Sequence, residues 1–195
     1  MRPLYQRSIC LLVAGCLWTS MSIAAVAQQE IDNPVYRNWQ DFPVGSQVTY
    51  RSVTTVGEDV SKQEYTLTLK SKDKNKIVIE RQLTAFLPDG VQQIFPAMTS
   101  QNQRKFRLPK GVDPPNPDKP NGVTEQGEEE LEWLGRKLKT KWFKAKMRVE
   151  AGEMFTHSWS SSAIPGGLVK AVNETPATKS VNTVELIELK IPGEE

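Results

Sequence analysis

Glu128-Glu129-Glu130-Leu131-Glu132-Trp133-Leu134-Gly135-Arg136-Lys137-Leu138-Lys139-Thr140-Lys141-Trp142-Phe143-Lys144-Ala145-Lys146-Met147-Arg148-Val149 is where two folding patterns compete. Leu131, Leu134, Leu138, Trp142, Ala145 and Val149 make a helical stripe, and Glu and Lys are good helix formers. Yet Leu131 and Trp133 alternate with glutamates, and Leu138, Thr140 and Trp142 with lysines, which is the two-residue period of a strand. Gly135 tips the balance. Inside a helix it costs about 0.5–1 kcal/mol relative to Ala, whereas in a hairpin turn its conformational freedom is useful. The stretch predicts two strands turning at Gly135-Arg136, with a bulge where the alternation changes phase at Phe143; one long helix is the alternative.

Outward from this hairpin, the same period recurs. Val48 and Tyr50 alternate with polar neighbours, as do Tyr65, Leu67 and Leu69, with Thr frequent in both runs. Asp73-Lys74-Asn75-Lys76 predicts a turn into a strand whose Ile77, Ile79, Leu83 and Ala85 share one face. Pro88-Asp89-Gly90 predicts another turn, into a strand from Val91 to Met98. Phe155, His157 and Trp159 share one strand face. Pro165-Gly166-Gly167 breaks the chain before Leu168 to Val172, and a last strand runs from Val181 to Ile191. One helix is expected, near the N-terminus: Asn33 is a capping residue, Pro34 suits a first helical position, and Val35, Tyr36, Trp39 and Phe42 follow at helical spacing. The fold expected is therefore mainly β, a curved or partly closed antiparallel sheet with a short N-terminal helix.

Residues 1–27 read as an export signal. Arg2 and Arg7 precede the apolar run Ile9 to Trp18, and Ala25-Val26-Ala27 is a small-x-small cleavage pattern. The run is too short to span a bilayer. Val13-Ala14-Gly15-Cys16 also fits a lipobox, which would make Cys16 a lipid-bearing N-terminus and the protein a membrane-anchored one. Cleavage after Ala27 instead gives a soluble periplasmic or extracellular protein. It removes both cysteines, so no disulfide framework or thiolate metal site is available. It also removes two of the 25 basic residues, which leaves them equal to the 23 acidic ones. A neutral chain is a poor nucleic-acid binder. Residues 28–195 are expected to form a single β-rich domain, interrupted at 110–122 by a loop whose four prolines exclude a helix interior or a central strand.

No catalytic constellation emerges. His157 is the only histidine, so paired-histidine zinc sites are absent, and Ser158 and Ser160 fall on the opposite strand face from it. Lying between Phe155 and Trp159, it reads as a partly buried structural residue. The paired carboxylates fall in the charged hairpin, the proline loop and the C-terminus, none of them an apolar cleft. The lysine series from Lys137 to Lys146 makes cationic stripes; pairing with Glu128 to Glu132 across the hairpin is its simplest explanation. The tryptophans suit core packing, and could equally line a cavity.

Two patches carry a resemblance. Asn33-Pro34-x-Tyr36-x-x-Trp39-x-x-Phe42-x-x-Gly45-Ser46-x-Val48 and Trp159-Ser160-x-x-x-Ile164-Pro165-Gly166-Gly167-Leu168-Val169-Lys170, with the hairpin from Gly135 to Trp142, resemble small secreted proteins of unknown function from planctomycete-type bacteria. A remoter likeness is to the lipoprotein-carrier (LolA/LolB-like) architecture, an incompletely closed antiparallel barrel. That likeness implies a concave apolar surface able to accept acyl chains, and supplies no catalytic residues or cofactor. The function expected is an exported, non-enzymatic binding protein of the cell envelope that holds a lipid or other amphiphile. Trp39, Phe42, Tyr50, Trp142, Phe155 and Trp159 are the candidate lining, with Lys139 and Lys141 meeting an anionic headgroup. The alternative is a structural module that docks an envelope protein through a sheet edge or the proline loop.

Overall fold

The charged stretch is a hairpin. In the computed structural model, which describes residues 29–109, 112 and 122–194, β8 (Val123–Trp133) and β9 (Arg136–Val149) pair antiparallel. Trp133 opposes Arg136, so the turn is Leu134-Gly135, one residue before the position the sequence suggests. Two-residue hairpin turns of the favoured twist need positive φ at both central positions. Gly135 takes one easily at 71°, and Leu134 accepts the other at 50°. The bulge expected at Phe143 is absent: β9 pairs with β10 (Gly152–Ser160) without a break in register. The alternation changes phase because the strand buries opposite faces at its two ends. Leu138 is buried at the turn end, whereas Phe143 and Ala145 are half-buried on the other side further along.

The remaining strands are β1 (Glu30–Asp32), β2 (Gln47–Val56), β3 (Asp59–Lys72), β4 (Lys76–Phe86), β5 (Gln92–Ile94), β6 (Met98–Gln103), β7 (Lys105–Arg107), β11 (Leu168–Thr175) and β12 (Ser180–Lys190). One curved, open, antiparallel sheet runs in the order β5-β4-β3-β2-β12-β11-β10-β9-β8, with β6 also paired to β4. β1 and β7 form a separate ribbon. The expected strand from Val91 to Met98 is instead two short ones. Pro96 has no N–H for the ladder, so β5 stops at Ile94 and β6 begins at Met98. The leader, with both the Ala27 cleavage and the Cys16 lipidation, lies outside the described residues, as does most of the 110–122 loop.

α1 (Pro34–Trp39) is the one α-helix among the described residues. Asn33 caps it by accepting the Val35 N–H at 2.9 Å, and Pro34 occupies its first turn. Six residues cannot hold a helix by propensity, so packing holds this one. Tyr36 and Trp39, three apart and both buried, sit on the sheet. The Tyr36 hydroxyl also donates to the Asp73 carbonyl at 2.9 Å. Trp39 lies against the turn before β11, where Gly166 donates its N–H to the Asn38 carbonyl at 3.0 Å. Gly166 has φ of 81°, and a Cβ there would stand 3.1 Å from Trp39 Nε1. The two patches that carry the family resemblance thus meet in space.

Register assigns the faces. Val48, Tyr50, Tyr65, Leu67, Ile79, Arg81 and Leu186 share the side on which α1 packs, here the helix face. Its core joins Trp39, Val48, Tyr50, Leu69, Ile77, Ile79 and Leu186. The far face carries cross-strand ion pairs instead, among them Arg51–Glu64 at 2.9 Å and Lys170–Glu185 at 2.8 Å. Beyond the end of β10, the β8–β9 hairpin closes over the base of the sheet. Trp133 Nε1 donates to the Leu186 carbonyl at 2.7 Å, and Leu138 joins the core.

Candidate functional site

A cleft of about 580 Å³ opens on the helix face between α1 and strands β2, β3, β4 and β6, within the ~300–1,000 Å³ usual for small-molecule sites. Trp39 and Val35 form one wall. Tyr50, Tyr65, Leu67 and Ile79 form the floor, and Met98, Ser100 and Asn102 of β6 form the outer rim. β3 and β4 each contribute alternate residues, as a pleated surface requires. The Tyr50 and Tyr65 rings stack with centroids 5.3 Å apart, and the Tyr50 hydroxyl donates to the Leu168 carbonyl at 2.9 Å. Burial raises both phenols above their ordinary pKa; Tyr65 lowers its neighbour's acidity further, while Arg81 partly offsets the rise at Tyr65. Both rings are therefore neutral wall at any physiological pH.

Among the described residues, Arg81 is the only charged one lining this cleft. Its guanidinium stands 5.0 Å over the Tyr65 ring, a cation–π placement that leaves its N–H donors available to an anion. Further along the strands, the helix face carries hydroxyl and amide side chains and no charge through Ser52, Thr54, Asn182, Asn173 and Thr156. These bond to one another across four strands. Thr156 donates to Asn173 at 2.8 Å, and the Asn182 amide donates to Ser52 at 2.9 Å and Thr54 at 2.8 Å.

The residues singled out from the sequence do not converge on one surface. Trp39 and Tyr50 line the cleft. Phe42 lies beyond the end of α1, in a separate depression with Arg37, Asp41 and Lys141. Lys141 pairs with Glu128 at 3.7 Å, and Lys139 faces Glu130 in register. This is the cross-hairpin pairing the two charge runs suggest. Trp142, Phe155 and Trp159 are on the far face with His157. Tyr65, Leu67, Ile79, Arg81 and Met98 were not among the candidates, although the alternation of Tyr65, Leu67 and Ile79 is visible in the sequence.

The far-face aromatics pack against one another. His157 stacks on Trp159 with centroids 3.7 Å apart and meets Trp142 edge-on at 5.7 Å. Trp142 lies across Gly127 of the next strand, where a Cβ would come within 2.7 Å of its ring. Around them, Lys144 pairs with Glu125 at 2.7 Å and Lys146 with Glu153 at 2.8 Å, and Trp159 Nε1 donates to the Glu129 carboxylate. His157 Nε2 is buried without a partner. Its burial, and then the Lys144 charge, hold its pKa below the ordinary value; Glu129 and Glu125 pull the other way. Ser158 points to the opposite face, so no hydroxyl nucleophile of that strand meets this imidazole. No group of three His, Cys, Asp or Glu placed to hold a metal ion occurs among the described residues.

No protein-family model matches the chain. No curated protein matches it either. Among solved structures it is similar to an exported protein with a YmcC-like fold from Bacteroides fragilis, at 8% identity over 76% of this chain and 97% of that one, TM-score 0.43. It is similar also to lipoprotein LppX from Mycobacterium tuberculosis, at 11% identity over 82% and 95%, TM-score 0.43. An outer membrane lipoprotein-sorting protein domain from Vibrio parahaemolyticus aligns at 8% identity over 77% and 86%, TM-score 0.25. At such identities no residue acquires a role from a neighbour.

The chemistry the cleft offers is recognition. It combines apolar walls, neutral phenols and one cation, with uncharged polar groups beyond the floor.

Proposed function

We propose that this is an exported, non-enzymatic binding protein of the cell envelope whose helix-face cleft holds the apolar part of an amphiphile. The observation that carries the proposal is a mostly apolar cleft whose single charge, among the described residues, is the Arg81 guanidinium. An acyl chain lies against Trp39, Tyr50, Leu67 and Ile79, and an anionic headgroup takes the N–H donors of Arg81. Arg81 thus fills the role that the sequence suggested for Lys139 and Lys141. The export leader supports an envelope location, with residues 28–195 acting as one domain. The far-face array of Trp142, Phe155 and Trp159 is structural in this account, because its lysines are matched by carboxylates.

Native mass spectrometry of the protein purified from its own envelope fraction tests this. A lipid-sized adduct is expected, and a bare chain would count against the proposal. A titration with alkyl phosphates of increasing length adds a quantitative check. Affinity is expected to rise about fourfold per methylene while the cleft has room, from the ~0.8 kcal/mol gained per buried CH₂. A flat series would remove the cleft from consideration.

A further inference from the structure

The two edges of the sheet are guarded very differently. An edge strand exposes unpaired N–H and C=O groups, and natural sheets usually protect it with charge. The β8 edge follows this rule with Glu125, Glu128, Glu129, Glu130 and Glu132. The opposite edge, β5 and β6, does not. From Leu87 to Gln103 the only ionisable residue is Asp89, and its carboxylate is engaged by the Val91 N–H at 3.0 Å. Pro96 shortens this edge but leaves the six residues of β6 unguarded.

The same segment shows its apolar side chains to solvent. Met98 is 71% exposed, Ile94 68% and Val91 53%. This exposure belongs to an ordered backbone: Phe95 donates its N–H to the Leu83 carbonyl at 3.0 Å and Leu87 to Val91 at 2.9 Å. Among the described residues, β6 pairs only with β4.

We propose that β6 is a self-association edge, on which a second copy of this chain lays its own β6 antiparallel. Charge selects that occupant. An antiparallel edge that meets itself about a two-fold axis sets residue i against j and j against i, so an edge whose charges share one sign brings like charges together. β6 carries none, whereas the glutamate-rich β8 edge is barred from self-pairing. A lipid surface fits less well, because hydrocarbon leaves the edge N–H and C=O groups unsatisfied. Met98, Thr99, Ser100 and Asn102 already form the outer rim of the cleft. The second copy's strand extends that rim, so association deepens the cleft at its open side.

The test uses Gln101 and Gln103, which lie on the far face of β6 and outside the cleft. Sedimentation equilibrium of the purified protein is expected to show a concentration-dependent dimer. Q101K/Q103K and Q101E/Q103E are each expected to weaken it at least tenfold, and an equimolar mixture of the two to restore it. A protein that stays monomeric at every concentration overturns the proposal, as does a dimer indifferent to both variants. Monomer that instead sediments with phosphatidylglycerol vesicles assigns the edge to a membrane and equally overturns it. Amphiphile binding by the dissociated variants is measured separately, so failure of the edge and failure of the cleft are told apart.

Discussion

The helix-face cleft and the far-face array contain the same ingredients in different arrangements. Each gathers aromatic rings around strand centres and each has a cation over a ring: Arg81 over Tyr65 in one, Lys144 over Trp142 in the other. On the far face the rings pack against one another and Trp142 lies across Gly127, while Lys144 is held by Glu125. On the helix face α1 stands over the sheet and leaves space beside it, lined among the described residues by Arg81 as the only charge. Aromatic content alone therefore does not mark a binding surface. A wall that stands off the sheet and a cation with no carboxylate partner among the described residues do.

The largest test of this contrast removes the wall. Trp39 is 2% exposed, so Trp39→Ala is expected to cost about 3–5 kcal/mol in denaturant unfolding and to abolish amphiphile retention. Trp159→Ala is expected to cost roughly 1 kcal/mol and leave retention intact. Equal effects of the two would erase the distinction between the faces.

Two glycines sharpen it. Gly166→Ala places a Cβ at positive φ and against Trp39, and Gly127→Ala drives a Cβ into Trp142. Each is expected to lose about 1–3 kcal/mol, but only Gly166→Ala should weaken ligand binding, because only it shifts the cleft wall. Chemical denaturation and a binding titration on the same samples separate the two outcomes.

Charge comes next. Arg81→Gln is expected to weaken an alkyl phosphate several-fold while leaving a neutral alcohol of the same chain length unchanged. K139Q/K141Q, on the hairpin, should change neither. Isothermal titration reports both affinities, and the opposite ranking would return the headgroup to the hairpin lysines.

The smallest effect is a pH slope. His157 has its folded pKa lowered below the unfolded value near 6.5, chiefly by burial. The unfolded chain therefore binds the proton more readily, and stability falls as pH drops from above 6.5 through the lowered value. His157→Gln is expected to flatten unfolding midpoints across that window. An unchanged slope would mean that the imidazole is better solvated than its neighbours imply.

Much of the fold is legible in the sequence. Asn33-Pro34 marks the helix start, the alternation of Val48, Tyr50, Tyr65, Leu67 and Leu69 marks the first hairpin, and Gly135 marks the turn that excludes a long helix. The site is less legible for a physical reason. Alternation states which residues of one strand share a face, but not which face another element covers. Tyr50 and Trp159 have equivalent patterns, yet α1 packs over one and not the other. Lys139 and Lys141 stand in a conspicuous run, and that run is matched by glutamates opposite. Arg81 is one of two cations in β4, and it becomes notable only once β3 brings Tyr65 beneath it. The pairing of β12 with β2 joins residues far apart in the chain, and no local pattern encodes it.

The central claim is that a ligand's chain lies against Trp39 and not against the far-face tryptophans. Quenching of tryptophan fluorescence by an alkyl phosphate brominated along its chain tests it directly, using W133F/W142F/W159F, which keeps Trp39 alone among the described tryptophans, beside W39F. Saturable quenching in the first protein and none in the second is the predicted result. Quenching confined to W39F would place the ligand elsewhere and contradict the account.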